Sequence, residues 1–154
     1  MKKLLVVLIV LISYSSYAQT GFKHISIQYG MTYEKSTNIE IGLDFNRKYF
    51  NTWTLFFSHY KKDKDATGNF ENSTVGFYYS QNLIASKNNF LNLKMGSSAG
   101  TNSENFIIDI ILGLEYNYSF SRNLKFSLFL KNNAMFNANP VFRHALLAGL
   151  KYRL

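Results

Sequence analysis

No cysteine occurs in the 154 residues, which excludes both a disulfide framework and a lipoprotein acylated on cysteine. Proline is confined to Pro140, so almost nothing in the chain interrupts the N–H ladder of a long strand. The apolar run Leu4 to Ile12 falls far short of the ~20 residues that a spanning helix needs. Motifs with metal or nucleotide chemistry are missing too. There is no HExxH, no EF-hand loop and no His/carboxylate cluster with ligand spacing. The run GSSAGTN (96–102) follows a strand pattern, opens no helix and lacks a Lys-Ser/Thr pair. It reads as a loop and not as a phosphate cradle. No metal, cofactor or catalytic residue is assigned from the sequence.

What is present begins with MKKLLVVLIVLISYSSYA. Lys2 and Lys3, a short apolar run and Ser16-Tyr17-Ala18 form the three parts of a secretory signal peptide, with cleavage expected after Ala18. The expected organisation is therefore a signal peptide over 1–18 and one domain over 19–154, outside the cytoplasm. Loss of Lys2 and Lys3 lowers the net charge from +8 to about +6. A balance this basic suits anionic lipid, lipopolysaccharide phosphate or nucleic acid. Placement of the bases in polar turns and an interior is the favoured explanation, and no direct nucleic-acid binding is expected.

After the signal, the dominant period is two. In HISIQYGMTY (24–33), Ile25, Ile27, Tyr29, Met31 and Tyr33 alternate with Ser26, Gln28, Gly30 and Thr32. The same alternation runs through IEIGLDF (39–45), TWTLFFSHY (52–60), STVGFYYS (73–80), FLNLKMGSS (90–98), NLKFSLFLK (123–131) and RHALLAGLKYRL (143–154). It is cleanest in FIIDIILGLEYNYSF (106–120), where the even-numbered positions are apolar and Asp109, Glu115, Asn117 and Ser119 fall among the odd ones. On a helix these polar residues would form no stripe; on a strand they share one face. Polar stretches at 34–38, 47–51, 62–72, 85–89, 100–105, 121–123 and 137–140 read as the connections.

Eight such strands predict an all-β fold, an eight-stranded antiparallel up-and-down transmembrane β-barrel in the outer membrane. A periplasmic β-sandwich is the alternative all-β reading. The barrel is favoured by a uniformly bulky apolar face, by charge in mid-strand on the other face, and by a final strand ending in the hydrophobe Leu154. The inward set holds four acids, Glu40, Asp44, Asp109 and Glu115, and five bases, Lys94, Lys125, Lys131, Lys151 and Arg153. In a lumen only wide enough for side chains, these are expected to pair into a plug. Tyr29, Tyr33, Tyr49, Trp53, Tyr60, Tyr79, Tyr116, Tyr118 and Tyr152 are the expected interfacial girdle. Arg143, His144 and loop lysines form a candidate basic mouth. Of the three histidines, His24, His59 and His144, His59 beside Ser58, or His144 with a distant Ser, offers the elements of a nucleophile and base. No diagnostic motif surrounds it, and a non-enzymatic protein is expected.

Taken in order, the segments ISIQYG, NIEIGLDF, WTLFF, VGFYYSQNLIASKNNFLNLKMGSSAG, ILGLEYNYSFSRNLKFSLFLKNN and the closing HALLAGLKYRL resemble the TraO family of conjugative transposons. The resemblance covers most of the chain after the signal. It implies an outer-membrane protein that seats or supports a mating-pair apparatus through contacts with other transfer proteins, without enzymatic activity. It transfers no functional residue. The rival expectations are a small surface barrel that binds a ligand through its loops and a lipid-modifying barrel enzyme.

Overall fold

Alternating residues need two different environments, and a closed sheet supplies them. The computed structural model describes residues 23–46, 51–62, 71–102, 104–138 and 141–154. Within them run β1 (Lys23–Thr32), β2 (Ser36–Asn46), β3 (Thr52–Lys62), β4 (Asn72–Ser86), β5 (Asn89–Thr101), β6 (Phe106–Ser119), β7 (Leu124–Phe136) and β8 (Phe142–Arg153). Each strand pairs antiparallel with the next, and β8 pairs with β1, giving the expected eight-stranded closed barrel. Closure matters physically because a sheet without an edge has no row of unpaired backbone groups to expose.

The register fixes the barrel's shape. Neighbour-to-neighbour pairing runs from Lys23 through Phe45, Trp53, Tyr79, Met95, Leu112, Asn132 and His144, then returns to Tyr33, just past the end of β1 and ten residues beyond Lys23. With ~3.3 Å per residue and ~4.8 Å between strands, that stagger tilts the strands by roughly 40°. The 11 residues of β2 then rise roughly 27 Å along the barrel axis, close to the ~25 Å apolar band of an outer-membrane barrel.

The two faces sort as the period predicts. Ile25, Ile27, Ile39, Ile41, Leu55, Val75, Ile108, Ile110, Leu112, Leu130, Leu146 and Leu150 are exposed on the outside, whereas Ser26, Gln28, Glu40, Asp44, Lys94, Asp109, Glu115 and Lys131 are buried inside. All seven glycines described share the inward face with them. At Gly96 and Gly113 an added Cβ would run into the backbone of the neighbouring strand and into the rings of Tyr78 and Phe129 respectively. These positions are small because aromatic side chains lie across them, filling the lumen over a tightly coiled wall.

Several connections are tighter than the sequence predicts. The polar run 34–38 is strand from Ser36 onward, because the Ser36 N–H and hydroxyl both engage the Thr32 hydroxyl, at 3.0 and 2.7 Å. The run 85–89 reduces to a turn at Lys87 and Asn88 between long strands. GSSAGTN is not a loop: residues 96–101 lie within β5. Its inward Gly96, Ser98 and Gly100 are small because they face the crowded lumen. Lys35, Lys87 and Asn137 hold positive φ at hairpin turns, where the reversal is tight. The expected signal peptide, Tyr49 and most of the lysine- and aspartate-rich connection after β3 lie outside the described residues.

Candidate functional site: the lumen and its two mouths

The near end of the barrel is where β1 starts and β8 finishes; the far end is where β1 finishes and β8 starts. Between them the inward side chains form layers. At mid-height the Phe56 and Tyr78 rings stack at 4.0 Å, and the edge of Phe129 meets Tyr78 at 5.7 Å. Ile111, Ala145 and Leu147 complete this apolar layer. Lys94 Nζ sits 4.3 Å from the Tyr78 ring centre and 4.4 Å from that of Phe129, so the cation is held by π-faces on one side. On its other side it reaches Glu115 at 3.2 Å.

Glu40, Asp44 and Glu115 pair with lysines as expected, while Asp109 and Lys125 make no ion pair among the described residues. Lys131 Nζ contacts Glu40 at 2.8 Å, and the same carboxylate oxygen accepts the Tyr78 hydroxyl at 2.9 Å. Lys151 lies between Asp44 and Glu115, 2.9 Å from each. Gln28 donates to Glu115 and to Ser127. Asp109 takes its hydrogen bonds from neutral donors, the Ser98 hydroxyl and, at 2.8 Å, the Asn133 amide. Each buried carboxylate thus has its donors, which offsets a desolvation cost of several kcal/mol per ion. Acid and base meet across 91 residues of sequence in the Glu40–Lys131 pair and 107 in the Asp44–Lys151 pair.

The far end is sealed. Tyr60, Ile107 and Met135 form a second buried cluster. Arg143 lies over Tyr60 at 5.4 Å and donates to Asn72 at 3.1 Å. Two sequence expectations change here. Tyr60 is not part of the girdle: it has inward parity and is fully buried. Arg143 is not at a solvent mouth either, because it too is inward and fully buried. His144, one residue on, is outward and bonds Asn132 at 2.7 Å, so the two cannot form one basic patch.

Histidine pairing also differs. His59 does not engage Ser58, which faces the lumen and accepts from Asn38 and Lys131. Adjacent strand residues point to opposite faces, and His59 instead meets Ser73 across the strand pair at 2.9 Å on the outer wall. His24 is buried at the near end, on the opposite side of the wall from His59 and His144. The three histidines are not brought together. Among the described residues, no group of three or more His, Cys, Asp and Glu is placed to hold a metal ion.

The outer wall carries aromatics at both ends. Trp53 and Tyr79 pack at 5.0 Å, and Tyr118 meets Phe120 edge-on at 5.0 Å, all at the near end. Tyr116 and Tyr152 join them, while Tyr33, Phe106, Phe136 and Phe142 ring the far end. Aliphatic side chains fill most of the band between, joined there by Phe57, Phe77 and Tyr29; Tyr29, expected in the girdle, instead pairs with Ile39 and Ala148 at mid-height.

The near end is the open one. A cavity of about 50 Å³ is lined there by His24, Asp44, Asn46, Thr52, Phe90, Asn92, Glu115, Asn117, Lys125 and Lys151. Sequence reasoning missed both this cavity and the aromatic layer. The aromatic layer had a signal in the inward parity of Phe56, Tyr78 and Phe129. The cavity had none, since it depends on which strand ends meet.

No family model matches the chain, and no curated protein does. Solved structures do. Neisserial surface protein A shares 12% identity at a TM-score of 0.61, over 86% of this chain and 96% of its own. The designed barrel TMB2.3, solved in solution, shares 14% at 0.61, over 90% and 98%. Another de novo designed transmembrane β-barrel shares 10% at 0.59, over 88% and 98%. At such identities the likeness is one of fold. The chain has the fold of a small eight-stranded barrel of the outer-membrane type.

Proposed function

We propose that the chain is a closed, non-enzymatic barrel of the outer membrane that serves as a structural component of a conjugative DNA-transfer apparatus. The observation that carries the first half is the filled lumen. The Phe56–Tyr78–Phe129 layer, flanked by the Glu40–Lys131 and Glu115–Lys94 pairs, occupies the interior that a channel would need open. An apolar belt between aromatic rims supports a place in lipid, and the signal-like residues 1–18 support export. The resemblance of the ordered strand segments to the TraO family supports the second half. A barrel with a filled interior acts through its ends and its outer wall, which suits a part that seats other envelope proteins.

Deletion of the gene from donor cells tests this reading. Mating frequency is expected to fall by at least tenfold and to recover when the gene is supplied in trans. Unchanged transfer would sink the conjugation role and favour a surface barrel that binds a ligand through its loops. Fractionation tests the placement: the protein is expected in the outer membrane, with heat-modifiable migration on a gel, and recovery as a soluble periplasmic protein would overturn it.

A further inference from the structure

The near-end cavity has more cation than its acids neutralise. Lys151 is shared by Asp44 and Glu115, and Glu115 is also met by Lys94. Lys125 adds a further positive charge to the lining. Its ammonium faces the Phe90 ring at 5.4 Å, and it makes no ion pair among the described residues. Register sharpens the excess. Lys125 lies directly opposite Lys151 on the neighbouring strand. Like charges in directly opposed positions destabilise a sheet, and here one such pair of lysines flanks a space instead of being splayed into solvent.

A second feature points into the same space. Asn117 lines the cavity and is only 4% exposed. Its amide nitrogen donates to Glu115 at 3.0 Å, which fixes the orientation of the amide, since a carboxylate accepts and cannot donate. Its carbonyl oxygen is left buried without a partner. Asn46, Asn92 and Thr52 supply further neutral polar groups around the wall. A ligand suited to this lining offers negative oxygen to Lys125 and one hydroxyl hydrogen to Asn117.

The charge of the whole end agrees. Lys23, Lys87, Arg122, Lys125 and Arg153 lie in the near-end strand termini and turns. The acids nearest this end, Asp44 and Glu115, are inside the lumen. At the far end Glu34, Glu71 and Glu104 accompany Lys35, Lys61 and Lys62. An anion approaching the near end therefore meets an attractive field that the far end lacks.

We infer that the near-end cavity is a binding site for a tetrahedral phosphate that keeps one P–OH, as inorganic phosphate or a phosphate monoester does. Lys125 holds the negative oxygens, and the Asn117 carbonyl accepts the hydroxyl. A cavity of about 50 Å³ has room for roughly four water molecules, the scale of one such group. The site goes beyond the scaffold reading and does not depend on it.

The test uses the full-length barrel in detergent micelles, titrated with inorganic phosphate and followed by phosphorus and amide NMR. Saturable binding is expected, with the Asn117 side-chain amide among the shifted signals. Lys125→Gln is expected to weaken binding roughly tenfold, the size of one lost charge-assisted hydrogen bond, while Lys125→Arg stays within about threefold. Lys87→Gln, in a turn at the same end, is expected to leave binding unchanged. Heat-modifiable migration verifies that each variant is folded. Dimethyl phosphate, which has no P–OH, is expected to bind at least tenfold more weakly; equal binding would overturn the role of Asn117. Nanodiscs rich in phosphatidylglycerol separate a lipid source, because a diester headgroup that filled the site would abolish phosphate binding and overturn the monoester assignment. A linear, non-saturating titration, or a Lys125→Gln variant that binds like the parent, would overturn the site itself.

Discussion

The two ends of this barrel obey the same inside–outside alternation and reach opposite results. At the far end, Tyr60, Ile107 and Met135 pack together and Arg143 lies over the Tyr60 ring. At the near end the same inward positions carry His24, Asp44, Asn117, Lys125 and Lys151, and a cavity remains between them. Alternation decides that a residue faces the lumen. It does not decide whether the lumen is filled at that height. That depends on the volume and charge of the side chains the register brings to one level.

The comparison can be broken in graded ways. The largest effect is expected from the sealed side of the lumen. Lys131→Met leaves Glu40 buried with only the Tyr78 hydroxyl as a strong donor, and should cost about 3–5 kcal/mol. Reversible urea unfolding in micelles measures this. The double variant with Glu40→Gln should cost clearly less than the sum of the single changes, because both members of one pair are removed together. Additive losses would show that the pair is not energetically coupled.

A comparable loss is expected from Tyr60→Ala, about 3–5 kcal/mol for a fully buried ring, since Arg143 loses its packing surface as well. Planar-bilayer recordings of this variant should still show no steady conductance, because the Phe56–Tyr78–Phe129 layer lies beyond it. Steady current would show that the far end alone is the seal. Gly113→Ala comes next. Its methyl group would meet the Leu130 carbonyl and the Phe129 ring, for an expected loss of about 1–3 kcal/mol.

Effects at the near end should be small. Lys125 is half-buried and makes no ion pair among the described residues, so Lys125→Gln should change unfolding stability by less than about 1 kcal/mol. A loss as large as that of Lys131→Met would erase the contrast between the ends. Smallest of all, Lys35→Gly relieves a positive φ of 58° in the β1–β2 turn. It should raise stability by about 0.5 kcal/mol or less once the added backbone entropy is counted.

The strands were legible in the sequence because their signal is local. In FIIDIILGLEYNYSF, Asp109 and Glu115 mark the lumen face without any knowledge of a neighbour, and they are buried there. Turn boundaries were less legible, since Ser36 joins β2 through its contact with Thr32, and polarity by itself does not distinguish a turn from an inward strand position. Tyr60 and Arg143 were misplaced for a related reason. A tyrosine near a strand end suits an interface, and an arginine near a strand start suits water, until parity is followed through to the last residue. The His59–Ser73 contact likewise required the β3–β4 register.

By itself the sequence determined the number of strands, the face to which each residue belongs and the two-sided character of the wall, because period two is a property of consecutive residues. Only the tertiary structure decided that Lys131 meets Glu40, that Lys151 lies between Asp44 and Glu115, and that one mouth is sealed while the other holds a cavity. Those outcomes follow from a ten-residue stagger summed around all eight strands. A stagger belongs to the closed ring of pairings and to no single strand.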